Sequence, residues 1–189
     1  MERCDMKKIL IAGNSNYGLA EGLKESLAEH DVTFISRSCG YDLTKAEQQQ
    51  HFADMSVDYD VVILCSALWK FNQTLLLEAT YKKLKAVGKK TYIIAIGSTT
   101  DRVMKATDWL YNAEKKALRD YCNSLGLNGV WNEGPRVSYI SFGTLSNMQA
   151  KHPGRKTITI QDAANYIKWL TEQPAYLHIN EISIDPLQT

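Results

Sequence analysis

Residues 7–20 read KKILIAGNSNYGLA, and this stretch decides the fold. An apolar run of strand length ends at Gly13, and a helical pattern begins within the next few residues. Gly13 and Gly18 allow the backbone of such a turn to pass close to a pyrophosphate, and the helix N-terminus offers unpaired N–H groups. A glycine pair also suits any tight turn from strand to helix, so a purely structural role stays open at this point.

The rest of the chain repeats this alternation of strand-length runs and helical patterns. Further apolar runs lie at 32–37, 60–66, 90–98, 136–143 and 179–185, and helices are predicted at 17–29, 44–55, 72–87, 105–125 and 160–172. Several runs are apolar nearly throughout, as strands covered by helices on both faces must be. The pattern predicts an α/β fold with a doubly wound, mostly parallel sheet of the Rossmann type, in a single domain spanning residues 1–189.

Local signals predict where some helices begin and end. Thr44 and Glu47 have the spacing of a capping box at the start of the second helix. Gly88 and Gly126 follow the third and fourth helices, where a left-handed residue is favoured. The segment 146–159 is predicted to be a surface loop.

Composition and charge exclude several classes of partner. The formal net charge is +1 and no long run of one sign occurs, so neither nucleic acid nor a membrane surface is indicated. The cysteines have no C-x-x-C spacing, which favours a reducing compartment, and the N-terminal residues do not resemble a signal peptide. The four histidines are scattered without ligand spacing, so no metal site is predicted. We therefore expect a cytoplasmic protein.

The end of the second strand predicts which nucleotide is preferred. The chain reads Ser36-Arg37-Ser38 at this point. A ribose without a 2′-phosphate is usually held here by an acidic residue, whereas a 2′-phosphate is recognised by a bidentate hydrogen-bond donor such as arginine. Because arginine is present without an acid, NADP(H) is the preferred cofactor and NAD(H) is possible. A solvated arginine at a strand end is the alternative.

Two Tyr-x-x-x-Lys pairs place a phenol and an ammonium group on one helix face: Tyr81 with Lys85, and Tyr111 with Lys115. Ligands of doubly wound sheets bind beyond the carboxyl ends of the strands, and Ser98 lies at such an end. Tyr111 follows Ser98 by thirteen residues and can fold back over that edge. Tyr81 lies in a helix that runs toward the opposite edge, so Tyr111 and Lys115 are the catalytic candidates.

Four elements, in this order, resemble the short-chain dehydrogenase/reductase family over nearly the whole chain. They are the glycine turn at 13–20, Asn72 early in its helix, Ser98 at its strand end, and Tyr111-x-x-x-Lys115. Further resemblance lies in Asp42-Leu43-Thr44, Phe142-Gly143 and the segment 181–185. The chain departs from the family pattern in an extra residue within the glycine turn, in Ala20 at the third glycine, in Cys65-Ser66-Ala67-Leu68, and in a small insertion after Gly143.

The resemblance implies an oxidoreductase that transfers a hydride between a nicotinamide and a carbonyl or alcohol carbon of a small molecule. Tyr111 would be the general acid and base, and Ser98 would donate to the substrate oxygen. Lys115 would favour the phenolate, whose free pKa is about 10, and hold the ribose. Asn72 would position a water that links Lys115 to solvent. Each of these residues also has a plain structural role open to it, as a cap, a surface anchor or a solvated charge.

We expect the cofactor to lie along the edge formed by the strand ends. The residues expected to contact it are Gly13, Asn14, Ser15, Asn16, Tyr17, Gly18, Leu19, Arg37, Ser38, Asp42, Leu43, Cys65, Ser66, Ala67, Tyr111, Lys115, Gly143 and Thr144. The alternative from a different class is a sensor or regulatory protein that binds NADP(H) without turnover, which the shortened substrate region would suit. A flavin or other nucleotide-binding module is a weaker alternative, because it does not explain the Ser98 to Lys115 arrangement.

The helices at 72–87 and 105–125 predict a homodimer or homotetramer. They and the residue before the second carry more large apolar groups than one sheet-facing stripe requires: Leu75, Leu76, Leu77, Tyr81, Met104, Trp109, Leu110, Ala117, Leu118 and Tyr121. The family resemblance implies pairing through the same two helices. Alternatively, Trp109 and Tyr121 are single exposed aromatics, which are ordinary on protein surfaces.

Overall fold

One parallel sheet organises the fold, which the computed structural model describes for residues 6–102, 108–132 and 134–188. Its strands are β1 (Lys8–Ala12), β2 (Asp31–Ile35), β3 (Val61–Leu64), β4 (Tyr92–Ser98), β5 (Arg136–Phe142) and β6 (Glu181–Ile184). They lie in the order β2-β1-β3-β4-β5-β6, and each pairing is parallel. Strand β2 lies on one side of β1 and β3 lies on the other, so the order of successive strands changes direction between β1 and β3. This change opens a crevice at the carboxyl ends of these strands.

Helices cover both faces of this sheet. They are α1 (Gly18–Ser26), α2 (Ala46–Met55), α3 (Asn72–Ala86), α4 (Leu110–Asn132) and α5 (Ile160–Thr171). Alternate residues of β1 serve the two faces: Leu10 joins the core beneath α3 and α4, whereas Ile9 and Ile11 join the core beneath α1 and α5. The predicted Rossmann-type fold with a doubly wound parallel sheet is confirmed.

Two predicted helix signals are wrong. Helix α2 begins at Ala46 with Lys45 at its cap position, and the Thr44 hydroxyl donates to Asp42 Oδ1 at 2.7 Å, so no capping box forms. Helix α4 continues through Gly126 to Asn132. An added Cβ at Gly126 would lie 2.8 Å from the Val137 carbonyl oxygen, so this glycine allows α4 to pack closely on β5.

Other boundaries agree with the sequence or refine it. Gly88 follows α3 with a φ of +68°, as predicted for a left-handed residue after a helix. The segment 146–159 contains a short 3-10 helix, Ser146–Lys151, and Leu145 pairs with Ile158 in an isolated bridge. The predicted helix start at Lys105 lies outside the described residues.

Candidate active site

A cavity of about 1000 Å³ opens at the carboxyl ends of the strands. Most of the predicted site residues line it: Gly13, Asn14, Tyr17, Gly18, Leu19, Arg37, Ser38, Asp42, Leu43, Cys65, Ser66, Ala67, Ser98, Tyr111, Lys115, Gly143 and Thr144. Ser15, Asn16 and Asn72 are not part of this lining. The sequence analysis missed several residues after β5 that do line it: Leu145, Asn147, Met148, His152 and Arg155.

The glycine turn brings the start of α1 close to the end of β1. Gly18 begins α1 with a φ of +60°, a conformation that favours glycine. An added Cβ at Gly13 would lie 2.8 Å from the Ala20 Cβ, so a small residue is needed at both positions. Tyr17 occupies the cap position without a capping hydrogen bond from its side chain, which leaves the first N–H groups of α1 for an anion.

Asn14 and Asn16 shape the same turn from within. Asn14 Oδ1 accepts from the Asn16 N–H at 3.1 Å, and the Asn14 carbonyl accepts from the Tyr17 N–H at 3.1 Å. These bonds turn the chain inside the predicted binding loop, and they explain why Asn16 supports the turn although it does not line the cavity.

An exposed cationic group, the Arg37 guanidinium, lies where the cavity reaches the carboxyl end of β2. The Arg37 side chain is 76% exposed, and its Nη2 lies 3.6 Å from Asp42 Oδ1. Hydrogen bonds from the Thr44 hydroxyl and then the Thr44 N–H hold the pKa of Asp42 below its usual value. An exposed ion pair at this distance is weak, so the Arg37 guanidinium can turn toward a phosphate.

The Lys115 ammonium is buried where β3 and β4 end. Its Nζ donates to Gln73 Oε1 at 2.6 Å and to the Ile96 carbonyl at 3.4 Å. Gln73 Nε2 in turn donates to the carbonyls of Leu64 and Ile96, at 3.0 and 2.9 Å. Burial lowers the pKa of Lys115 to about 8. Gln73 is therefore the side chain that fixes this ammonium group, and the sequence analysis missed it.

Asn72, the first residue of α3, makes hydrogen bonds with the loop after β3 and with α2. Its Nδ2 donates to the Trp69 carbonyl at 2.6 Å, and its Oδ1 accepts from Gln49 Nε2 at 3.2 Å. Asn72 thus ties the loop after β3 to α2, whereas its neighbour Gln73 contacts Lys115. The prediction that Asn72 positions a water that links Lys115 to solvent stays a prediction.

Tyr111 stands among aromatic rings at the start of α4. Its ring centroid lies 5.3 Å from that of Trp69 and 4.8 Å from that of Trp109, and Lys115 Nζ lies 5.4 Å from it. Burial raises the pKa of Tyr111, a hydrogen bond with the Ser98 side chain partly opposes this, and the carboxylates of Glu114 and Asp101 add to the rise. Burial is the largest of these effects, and the expected effect of Lys115 on the phenolate stays a prediction. Tyr111 is a protonated donor at neutral pH.

The backbone of Ser98 is hydrogen-bonded to a buried pair of side chains, Tyr139 and Asp101. The Ser98 N–H donates to Tyr139 Oη at 3.3 Å, and this phenol donates to Asp101 Oδ2 at 2.5 Å. An added Cβ at Gly97 would lie 1.8 Å from Tyr139 Oη, so the ring passes over a position that only glycine can occupy. Burial raises the pKa of both Tyr139 and Asp101. The pair fixes the backbone that carries the Ser98 hydroxyl.

The described residues offer neither a metal cluster nor a membrane-spanning helix. No group of three or more histidine, cysteine, aspartate or glutamate side chains among these residues is arranged to hold a metal ion. Across the same part of the chain, none of the helices has both the length and the apolar character needed to cross a membrane.

Comparisons with known proteins show similarity in structure rather than in sequence. No family model matches the chain, and no curated protein matches it at a significant level. A short-chain dehydrogenase from Burkholderia cenocepacia J2315, solved in complex with NADP, has a TM-score of 0.75 and 18% identity, over 97% of this chain and 90% of that one. A short-chain type dehydrogenase/reductase from Mycobacterium marinum has a TM-score of 0.71 and 15% identity, over 95% and 94%.

A third solved structure has a different nucleotide in its description. It is the NADH-dependent reductase A1-R′ responsible for alginate metabolism, with a TM-score of 0.70 and 16% identity, over 97% of each chain. At such identities the shared feature is the arrangement of strands and helices over nearly the full length of each protein. The chain has the Rossmann-type fold of the short-chain dehydrogenases and reductases.

Proposed function

We propose that the chain is a member of the short-chain dehydrogenase/reductase family and an NADP(H)-dependent oxidoreductase that interconverts a carbonyl and an alcohol on a small molecule. The observation that carries this proposal is the arrangement of one cavity, which the glycine turn and Arg37 line at one end and Ser98, Tyr111 and Lys115 at the other. A hydroxyl, a phenol and a buried ammonium group at one strand edge form a set suited to proton transfer. Residues 1–189 would then form one domain that both binds the cofactor and carries the catalytic groups.

The described residues fit a dinucleotide with a 2′-phosphate. The uncapped N-terminus of α1, beginning at Gly18, would hold the pyrophosphate, and Arg37 would hold the 2′-phosphate. NADP(H) is therefore the preferred cofactor and NAD(H) is possible. The similar structures named above include one in complex with NADP and one described as NADH-dependent, which supports both parts of the proposal.

The chain's own residues supply the proton chemistry. The bound nicotinamide would supply or accept the hydride. In reduction, Tyr111 donates its phenolic proton to the carbonyl oxygen while the Ser98 hydroxyl donates a hydrogen bond to the same atom. Lys115, whose pKa is about 8, is largely charged at neutral pH and stabilises the phenolate that this transfer leaves. Gln73 holds the ammonium group in place.

A non-catalytic NADP(H)-binding regulatory protein is the second candidate. The observation that favours it is the contact from Gln73 to Lys115, which stands where a proton path through Asn72 was expected. Titration with NADPH and NADH, followed by a screen of aldehydes, ketones and quinones at 340 nm, separates the two. Turnover would support the oxidoreductase, tight binding without any turnover would favour the regulatory protein, and no binding of either nucleotide would contradict both.

We also propose a homodimer or homotetramer that pairs α3 and α4 with their symmetry mates. Fewer apolar side chains are available for this pairing than the sequence predicted, because four of them belong to the core of a single chain: Leu76, Leu77, Tyr81 and Leu118. Leu75 is 46% exposed and Leu110 is 50% exposed, so each helix keeps one exposed leucine from the predicted set. Trp109 lines the cavity, and Met104 lies outside the described residues.

A further inference from the structure

We propose that the substrate is a flat aryl carbonyl compound, an aldehyde or ketone conjugated to an aromatic ring, and that Trp69 and Trp109 bind the ring. This inference rests on the proposed function and concerns the part of the cavity beside Tyr111. We call Trp69, Trp109 and Tyr111 together the aromatic wall.

The aromatic wall is a surface of the cavity rather than part of the core. Trp69 and Trp109 both line the cavity, and they are 55% and 54% exposed. The Trp109 and Tyr111 rings are stacked, with an interplanar angle of 29°, and the Trp69 and Tyr111 rings are tilted by 50°. Half-exposed indoles beside a cavity offer large, rigid faces, on which a planar ring packs in offset-stacked or edge-to-face geometry.

The backbone that carries Trp69 is held in a strained conformation. Lys70 and Phe71 have φ values of 59° and 61°, in the left-handed region that residues with a side chain rarely adopt. Such a conformation persists only where the surroundings impose it, and it often occurs at functional sites. The sequence offers no glycine at either position to relieve the strain.

Two hydrogen bonds impose this conformation. The Phe71 N–H donates to Glu114 Oε1 at 3.2 Å, and Glu114 is a buried residue of α4, directly before Lys115. Asn72 Nδ2 donates to the Trp69 carbonyl at 2.6 Å. The backbone of the loop that carries Trp69 is thereby linked to α4, the helix that carries Tyr111.

Both indoles lie beside the phenol that would meet the reacting carbonyl group. The two indoles lie 4.8 and 5.3 Å from the Tyr111 ring, whose hydroxyl meets the carbonyl oxygen in the proposed reaction. A ring conjugated to that carbonyl begins one bond from the reacting carbon and is coplanar with it. It therefore reaches the indole faces without loss of internal rotation, which a flexible aliphatic carbonyl compound would have to restrict.

The reaction balances for this substrate class. In reduction, two electrons and one hydrogen nucleus reach the carbonyl carbon as hydride from reduced nicotinamide, and the carbonyl π bond breaks. The phenolic proton of Tyr111 forms the new O–H bond. The products are the aryl carbinol and the oxidised nucleotide, and Tyr111 recovers its proton from solvent.

The test compares acetophenone with cyclohexyl methyl ketone, which have similar size and differ in the flat ring. We expect Trp69→Leu and Trp109→Leu to lower kcat/KM for acetophenone relative to the saturated ketone by about tenfold, the scale of an aromatic pair. Trp169→Leu is the matched control, because Trp169 is 46% exposed on α5 and does not line the cavity. Trp69→Phe is the alternative variant if Trp69→Leu folds poorly. Because it keeps an aromatic face, it should retain most of the preference for acetophenone.

A second measurement does not depend on turnover. Saturation-transfer NMR of acetophenone with the full chain should show binding that Trp69→Leu and Trp109→Leu weaken and Trp169→Leu leaves unchanged. An unchanged preference in both tryptophan variants, or binding that survives both, would overturn the aryl carbonyl inference. Failure of the chain to bind either nucleotide would instead overturn the proposed function, so the two failures are distinguishable.

Discussion

Gln73 Oε1 lies 2.6 Å from Lys115 Nζ, and this contact joins the first turn of α3 to α4. Gln73 Nε2 donates to two strand carbonyls, which orients the side-chain amide so that its oxygen faces the ammonium group. One side chain thereby sets the position of the buried cation relative to both strand ends.

Gln73→Leu removes this contact and takes one hydrogen-bond partner from each of two strand carbonyls and from a buried ammonium group. We expect a loss of about 1–3 kcal/mol in the free energy of unfolding, together with a large fall in kcat. Urea unfolding and steady-state kinetics measure the two effects. Gln49→Leu is the control, since Gln49 is also buried and donates to the Leu43 carbonyl at 2.9 Å but does not touch Lys115. Equal loss of kcat in both variants would mean that Gln73 acts through stability alone.

Tyr111→Phe should abolish turnover and leave cofactor affinity nearly intact, because the ring still packs against Trp69 and Trp109 and only the proton donor is lost. We expect kcat to fall by about 10²–10⁴. Fluorescence titration with NADPH checks the affinity.

Tyr81→Phe is the control for Tyr111→Phe. Its phenol donates to Asn128 Oδ1 at 3.1 Å, so this change should cost about 1 kcal/mol of stability with little effect on rate. If Tyr111→Phe kept most of its activity, the general acid would be a different group.

Arg37→Asp should weaken NADPH binding by about tenfold or more and change NADH binding much less, since a charge-assisted contact to the 2′-phosphate is replaced by repulsion. Equilibrium titration with both nucleotides provides the comparison. Lys24→Asp makes the same change of charge at an exposed position of α1 outside the cavity. Equal loss for both nucleotides in Arg37→Asp would contradict the NADP(H) assignment.

Lys115 predicts a pH dependence of stability with a definite sign. Its folded pKa of about 8 lies below the ordinary pKa of 10.5 for an exposed lysine, so between these values the unfolded chain binds more protons than the folded one. Stability relative to Lys115→Met should therefore rise with pH across this window, at most by about 1.4 kcal/mol for each pKa unit of difference. Urea unfolding of both proteins at pH 7 and pH 10 measures the change. A difference that stays constant would mean that the ammonium group is not destabilised by burial.

The exposed leucines Leu75 of α3 and Leu110 of α4 allow a test of the proposed assembly. Leu110→Glu should reduce the mass in light scattering toward 21.4 kDa, whereas the starting protein should show a multiple of it. Tyr176→Glu is the control, because Tyr176 is 84% exposed and lies outside both helices. A starting protein that already has the monomer mass at all concentrations would contradict the prediction.

Much of the fold was predictable from the sequence because strand-length apolar runs and helical spacing are local signals. The strands begin and end within a few residues of the predicted runs, and Ser98, Tyr111 and Lys115 line one cavity as the position of the Tyr-x-x-x-Lys pair indicated. The contact of Lys115 with Gln73, the neighbour of Asn72, was not predictable from the sequence. Neighbouring helical residues point about 100° apart, and only packing decides which of them faces inward.

The support beneath Ser98 was also beyond a reading of the sequence. Tyr139 and Asp101 are 38 residues apart, and they meet because β5 pairs with β4 in one particular register. The burial that raises the pKa of Tyr111 likewise depends on the tertiary structure.

The passage of the Tyr139 ring over Gly97 has an evolutionary consequence. No side chain at position 97 can coexist with this ring, and a smaller residue at position 139 would leave the space above Gly97 empty. The two positions are therefore expected to covary in an alignment of relatives, with glycine at 97 accompanying an aromatic residue at 139. Lineages that acquire a β-carbon at 97 must first lose the ring, and with it the support for the Ser98 backbone.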